Sequence, residues 1–175
     1  MNTAELKQWM TFDRVPIESI EKILELVQSD TLIKIGTDAQ RIGRRTDFVT
    51  VLILYKPGKG GRVFYTKEKV ARELSLWEKL SKETWLSLEV AMQVDGLLHI
   101  QDRIEVHVDA NTDKQFDSSD YVKQLVGMVI GQGFNYVLKP EAAASSHAAD
   151  HIVKNKHLPS VDRKAIIKRK SRRHK

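Results

Sequence analysis

Residues 48–55, FVTVLILY, constrain the fold more than any other stretch of the chain. The run is almost entirely β-branched, aliphatic or aromatic, which favours a strand. Its odd and even positions are nearly all apolar, so it belongs to a sheet covered on both faces. It leads into KPGKGG and then RVFYT. Two strand patterns around a Pro/Gly-rich connection predict a hairpin. The glycines do not form a phosphate loop, because that motif needs GxxxxGK followed by Ser or Thr at the start of a helix after a parallel strand.

The rest of the chain supplies alternating elements. Ile17, Ile20, Ile23, Leu24 and Val27 have helical spacing, predicting a helix over residues 16–28 with Pro16 in its first turn. Residues 31–36 read as a strand that ends at Gly36 and places Asp38 just past the sheet edge. Residues 73–94 read as a long helix closing near Gly96, and RIEVHVDAN as another strand ending on Asp109. Ser118 or Ser119 would cap a helix reaching about Gly131. Residues 134–138 make a last strand, and Ser145 or Ser146 introduces a short final helix. The resulting order, a helix and then β-β-β-α-β-α-β-α, implies an antiparallel half and a parallel half that share the first of these strands.

The 175 residues are 41% hydrophobic and 30% charged, enough for one buried core and too apolar for a disordered chain. A single domain over residues 1–160, opening with the helix, is expected, followed by a basic tail over residues 161–175. No cysteine is present, so disulfides and thiolate metal sites are excluded. The expected setting is a cytoplasmic protein with no membrane partner, since no basic leader or long apolar run appears. The net charge of +6 is unevenly placed: residues 162–175 hold eight Lys and Arg against one acid, leaving 21 basic and 22 acidic side chains elsewhere. Lys168, Arg169, Lys170, Arg172 and Arg173 are therefore candidate contacts to a phosphate backbone. A disordered solubilising end has the same charge pattern.

Four acids stand out. An aspartate after a strand can simply form a turn. If the strands before Asp38 and Asp109 are adjacent and parallel, however, the two emerge together at the carboxyl edge, where open α/β sheets place their sites. Close carboxylates repel unless a cation intervenes, and an all-oxygen set favours Mg²⁺ or Mn²⁺ over zinc. On the long helix, at 100° per residue, Leu76, Leu80, Val90 and Val94 fall within about 60° of Glu83. Glu89 falls about 120° away, on the polar side. Glu83 thus lies in the apolar stripe, where a charge must be paired or metal-bound. Ligation and a buried salt bridge with Lys or Arg both answer that need. Ser87, one turn on, would let the helix approach the sheet closely. Asp150, in the first turns of the closing helix, fits a ligand or a dipole partner equally well.

The segments IGTDAQ, TDFVTVLIL, LSKETWLSLEVAMQV, IEVHVDAN, GMVIGQGFNYVLKP and AAASSHAADHIVK together resemble the RNase H-like YkuK family of bacterial proteins, over roughly residues 10–157. The resemblance implies an α/β fold with a five-stranded mixed sheet, order 3-2-1-4-5, and helices on both faces. It implies an acidic quartet, Asp38, Glu83, Asp109 and Asp150, both catalytic and metal-binding, with two Mg²⁺ or Mn²⁺ ions hydrolysing phosphodiester bonds of RNA or DNA. Proofreading exonucleases of the related group carry Asp-x-Glu on the first strand, where this chain has Asp38-Ala39-Gln40. They also place a His five, or a Tyr four, residues before the last Asp, positions held here by Ser145 and Ser146. His147, three before, is a candidate proton shuttle or a helix cap. Arg41, Arg44, Arg45 and Lys139 are candidate nucleic-acid contacts, or ordinary solvated charges. The alternative function is an inactive nucleic-acid-binding or adaptor protein, and a homodimer is a candidate assembly.

Overall fold

The structure, a computed structural model, describes residues 7–142. Its centre is a meander of three long strands, β3 (Leu32–Ile42), β4 (Arg45–Lys56) and β5 (Gly60–Val70). β3 and β4 pair without interruption from Leu32↔Tyr55 to Ile42↔Arg45, and β4 pairs equally fully with β5. The KPGKGG connection is a tight turn, with Gly58 and Gly60 at φ +74 and +87, a conformation that costs glycine little.

Both faces of β4 are buried, as its composition demands. On one face Leu52 and Leu54 join Ile33, Ile35 and Phe64 against the helix α2 (Leu76–Leu98). On the other Val49, Val51 and Ile53 pack with Tyr65, flanked by Met10, Tyr55 and Val63. After α2 the strand β6 (Ile104–Asn111) runs parallel to β3, and after α3 (Val122–Gly131) the strand β7 (Asn135–Lys139) runs parallel to β6. The fold is α/β with a mixed sheet, and β3 joins its antiparallel and parallel halves.

The sheet has seven strands in order β2-β1-β5-β4-β3-β6-β7, which corrects the expected five strands in order 3-2-1-4-5. The added pair is β1 (Trp9–Thr11) and β2 (Pro16–Ile17), a small hairpin docked on β5 through Met10↔Tyr65 and Thr11↔Phe64. Trp9 anchors it in the core. This hairpin also displaces the start of the helix expected over residues 16–28, because Pro16 and Ile17 are paired with β1. The helical part, α1, is only Ile20–Leu24. Beyond it the amides of Leu26 and Val27 bond three residues back, and Arg103 draws off the carbonyls of Gln28, Ser29 and Thr31.

Smaller corrections follow the same logic of competing partners. α2 begins at a capping box in which Ser75 and Glu78 satisfy each other's backbone amides. It runs through Gly96, near which it was expected to close, and stops at His99, whose φ of +53 is left-handed. Ser118 does not cap α3; its hydroxyl accepts the Asn111 amide, and a 3₁₀ turn over Asp117–Tyr121 leads into the helix instead. Trp77 and Trp85 are 38% and 44% exposed, Trp85 donating to Glu89 and Trp77 resting against Tyr121. Among the described residues no helix is long and apolar enough to cross a membrane.

Candidate metal centre

Asp38 and Asp109 lie inside their strands, not past them. β3 continues to Ile42 because its partner β4 pairs with it residue by residue beyond Asp38. The parallel β3–β6 ladder, by contrast, stops at Gly36↔His107. On its far side β6 bulges: Val108 pairs with Leu138 and Asn111 with Lys139, leaving Asp109 and Ala110 without counterparts. Bulges of this kind re-aim side chains. Asp38 and Asp109 therefore meet at a fork in the sheet, where β3 and β6 part.

Glu83 reaches the fork from α2. The helix can lie close to β3 because small hydroxyl residues face each other there. Ser87 Oγ is 2.8 Å from Thr37 Oγ1, which is 3.0 Å from Thr50 Oγ1. Thr84 and Ser87 return hydrogen bonds to the carbonyls of Leu80 and Glu83. One carboxylate oxygen each of Asp38, Glu83 and Asp109 then lie within 4.8 Å of one another.

The electrostatics are those of a crowded acidic site. Glu83 is 2% exposed, and neither carboxylate oxygen has a hydrogen-bond partner among the described residues. Burial pushes its pKa well above the ordinary range; Lys79 opposes this, and the charges of Asp109 and Asp38 reinforce it. Asp38 is raised for the same reasons, burial first and Asp109 second, against Lys79, the Ala39 amide that donates to its Oδ1 at 2.9 Å, and Lys139. A buried carboxylate without hydrogen bonds is costly, and an all-carboxylate donor set suits a hard divalent cation. The residues present therefore fit Mg²⁺ or Mn²⁺.

Two lysines enter the cluster. Lys79 Nζ stands 3.5 Å from Glu83 Oε1, and Lys139 Nζ pairs with Asp109 Oδ1. Burial alone would lower Lys79, but the carboxylates of Glu83, Asp38 and Asp109 outweigh it and hold its pKa above the ordinary value. Sequence reasoning misses Lys79; its spacing of four residues before Glu83 is the available signal. It also misses His107, two residues before Asp109. That ring is buried, its Nδ1 lies 3.4 Å from the Ala142 carbonyl, and burial lowers its pKa.

The other candidates are more dispersed. Arg41 is paired with Glu73, and Arg45 with Asp47 at 2.8 Å, so the expected basic loop is a strand turn with two of its cations engaged. Arg44 sits in the turn between β3 and β4. Asp150, His147, Lys168, Arg169, Lys170, Arg172 and Arg173 lie outside the described residues.

The sequence matches the family described as Ribonuclease H-like over residues 17–154. It is similar to the uncharacterized protein YkuK of Bacillus subtilis (strain 168), at 30% identity over 164 residues, 83% of this chain and 92% of that protein. The crystal structure of RNase H1 from the halophilic archaeon Halobacterium salinarum NRC-1 matches with 17% identity and a TM-score of 0.39, covering 70% of this chain and 98% of that one. The chain thus belongs to the ribonuclease H-like family, in its YkuK group.

Proposed function

We propose that this protein is a divalent-metal-dependent nuclease hydrolysing phosphodiester bonds of RNA or DNA. The observation that carries the proposal is the convergence of Asp38, Glu83 and Asp109 to within 4.8 Å, with both Glu83 oxygens buried and unbonded. Those three would hold Mg²⁺ or Mn²⁺. A divalent ion held there supplies Lewis acidity at a phosphate oxygen. Lys139, at the rim and 39% exposed, would exchange Asp109 for the substrate backbone, while Arg41, Arg44 and Arg45 on the adjoining turn would hold flanking phosphates. The two-ion form implied by the family resemblance needs Asp150 as a fourth ligand and leaves His147 as a proton carrier, both outside the described residues.

The test is cleavage with Mg²⁺ or Mn²⁺ across duplex, hybrid, single-stranded and branched substrates, repeated with Asp38→Asn. Loss of a partner behind a metal ligand already costs 10–100-fold, so losing a ligand itself should cost at least about a hundredfold. Affinity for the same nucleic acid without metal should not fall. Full cleavage by Asp38→Asn would remove the site from the reaction. A second reading, a binding scaffold without turnover, draws support from Lys79 and Lys139, which offset two of three negative charges without any metal. No cleavage of any substrate, with nucleic-acid affinity retained, would establish it.

A further inference from the structure

Aromatic side chains gather at the carboxyl edge of β6. Trp77, in the first turn of α2, is exposed and leans on Tyr121, the ring centroids 5.4 Å apart and the planes tilted by 38°. Tyr121 packs on the core from its inner side. It ends a loop, residues 111–121, that leaves β6 two residues after Asp109 and also carries the exposed Phe116. The loop is braced from within: the Asn111 amide donates to Ser118 Oγ, the Asp113 amide to Asn111 Oδ1 and the Gln115 amide to Asp113 Oδ1. We infer that Trp77 and Tyr121 form a stacking platform for nucleobases beside the phosphate held at the fork, so that the preferred substrate has unpaired bases there. This deepens the proposed function and rests on its placing nucleic acid at the fork.

Position comes first. Trp77 precedes Glu83 by six residues, about 9 Å along the helix axis. That is a span of about three nucleotides at about 3.4 Å for each step of a stacked strand. Charge then sets the orientation of the strand. Residues 111–121 contain Asp113, Asp117 and Asp120 against the single Lys114. Such a loop repels a phosphate chain, while Lys139 at the rim attracts it. A strand crossing the fork therefore turns its phosphates to Lys139 and its bases to the rings. Stacking on an aromatic ring needs no charge and tolerates any base. In continuous duplex the faces of the bases are already covered by their neighbours, so the bases that reach a platform are those of single strands, loops, bulges and ends.

Fluorescence anisotropy without divalent metal, so that nothing is cut, compares the full chain on three probes of equal length: a mixed-sequence single strand, the same strand made abasic through its central part, and its blunt duplex. The wild type should bind the intact strand at least about fivefold more tightly than the abasic one. Trp77→Ala should lose that advantage and bind the abasic strand and the duplex as before, whereas Trp77→Phe, which keeps a ring, should retain most of it. Mn²⁺ affinity should be the same in all three proteins. Equal wild-type affinity for intact and abasic strands, or an equal loss by Trp77→Ala on every probe, overturns the inference. So does a Trp77→Ala protein that keeps its preference for the intact strand but loses a dimer, which would make the rings a subunit contact. Should Trp77→Ala fail to fold, Trp77→Leu keeps the bulk without the ring, and the wild-type comparison still decides. A chain that prefers intact to abasic strands and cleaves nothing refutes the nuclease and leaves this inference standing. One that cleaves continuous duplex as fast as single strands, with Trp77→Ala unimpaired, does the reverse.

Discussion

Glu83 shows how one residue can link stability to function. A carboxyl whose folded pKa is raised favours the fold in its protonated form, so its contribution is complete below the ordinary value of 4.5 and is lost as pH rises through the higher folded value. The metal-free protein should therefore lose stability as pH climbs through that interval, and Glu83→Gln should flatten the loss. At neutral pH the amide variant should unfold at higher temperature than the metal-free wild type, by a few degrees for a chain of this size. Mn²⁺ should then stabilise the wild type and leave Glu83→Gln unmoved. Calorimetric scans across pH, with and without Mn²⁺, check both directions; a destabilised Glu83→Gln would mean that Lys79 needs the charge more than the core resents it. Glu83 is legible in the sequence because a charge on an apolar stripe breaks a strong rule. Lys79 is not, because a lysine at one edge of that stripe breaks none.

The elements are legible in proportion to how little they depend on distant partners. β4 announces itself through composition, and α2 through a long stretch of strong helix formers without proline. β1 and β2 carry no such signal: five residues in all, they exist because β5 offers an open edge to Met10 and Thr11. α1 is shorter than its pattern predicts for the same reason, its apolar spacing being real while a strand claims Pro16 and Ile17. The approach of α2 to β3 depends on a side chain as small as Ser87, which is fully buried against Thr37. Ser87→Leu should overpack this interface, costing about 1–3 kcal/mol in urea unfolding and lifting Glu83 away from the fork. Mn²⁺ affinity should fall with it, while Ser81→Leu on the exposed side of the same helix should change neither.

At the scale of the molecule, a nearly neutral body precedes a basic tail. The carboxylates sit where the sheet changes from antiparallel to parallel, the position at which strands part and side chains from three elements can meet. That meeting is readable from strand order, but the fork and the bulge at Asp109 are not, since both are failures of pairing that no local pattern encodes. An acidic cleft repels the polyanion it is proposed to cut, so attraction has to come from elsewhere. Residues 162–175 hold eight of the 29 Lys and Arg residues and a single acid, and the other 161 residues carry a net charge of −1. Removing residues 162–175 should therefore weaken nucleic-acid binding for every sequence alike. For every phosphate that the tail neutralises, its removal should flatten the dependence of log affinity on log salt by about 0.9 on duplex DNA and about 0.7 on single strands. Metal binding by Asp38, Glu83 and Asp109 should be unaltered, and cleavage at saturating substrate should persist. Filter binding across a salt series, with full-length and truncated chains on the same oligonucleotides, measures the slope directly. An unchanged slope would place phosphate recognition on the body, at Arg41, Arg44, Arg45 and Lys139, and leave the tail without a part in it.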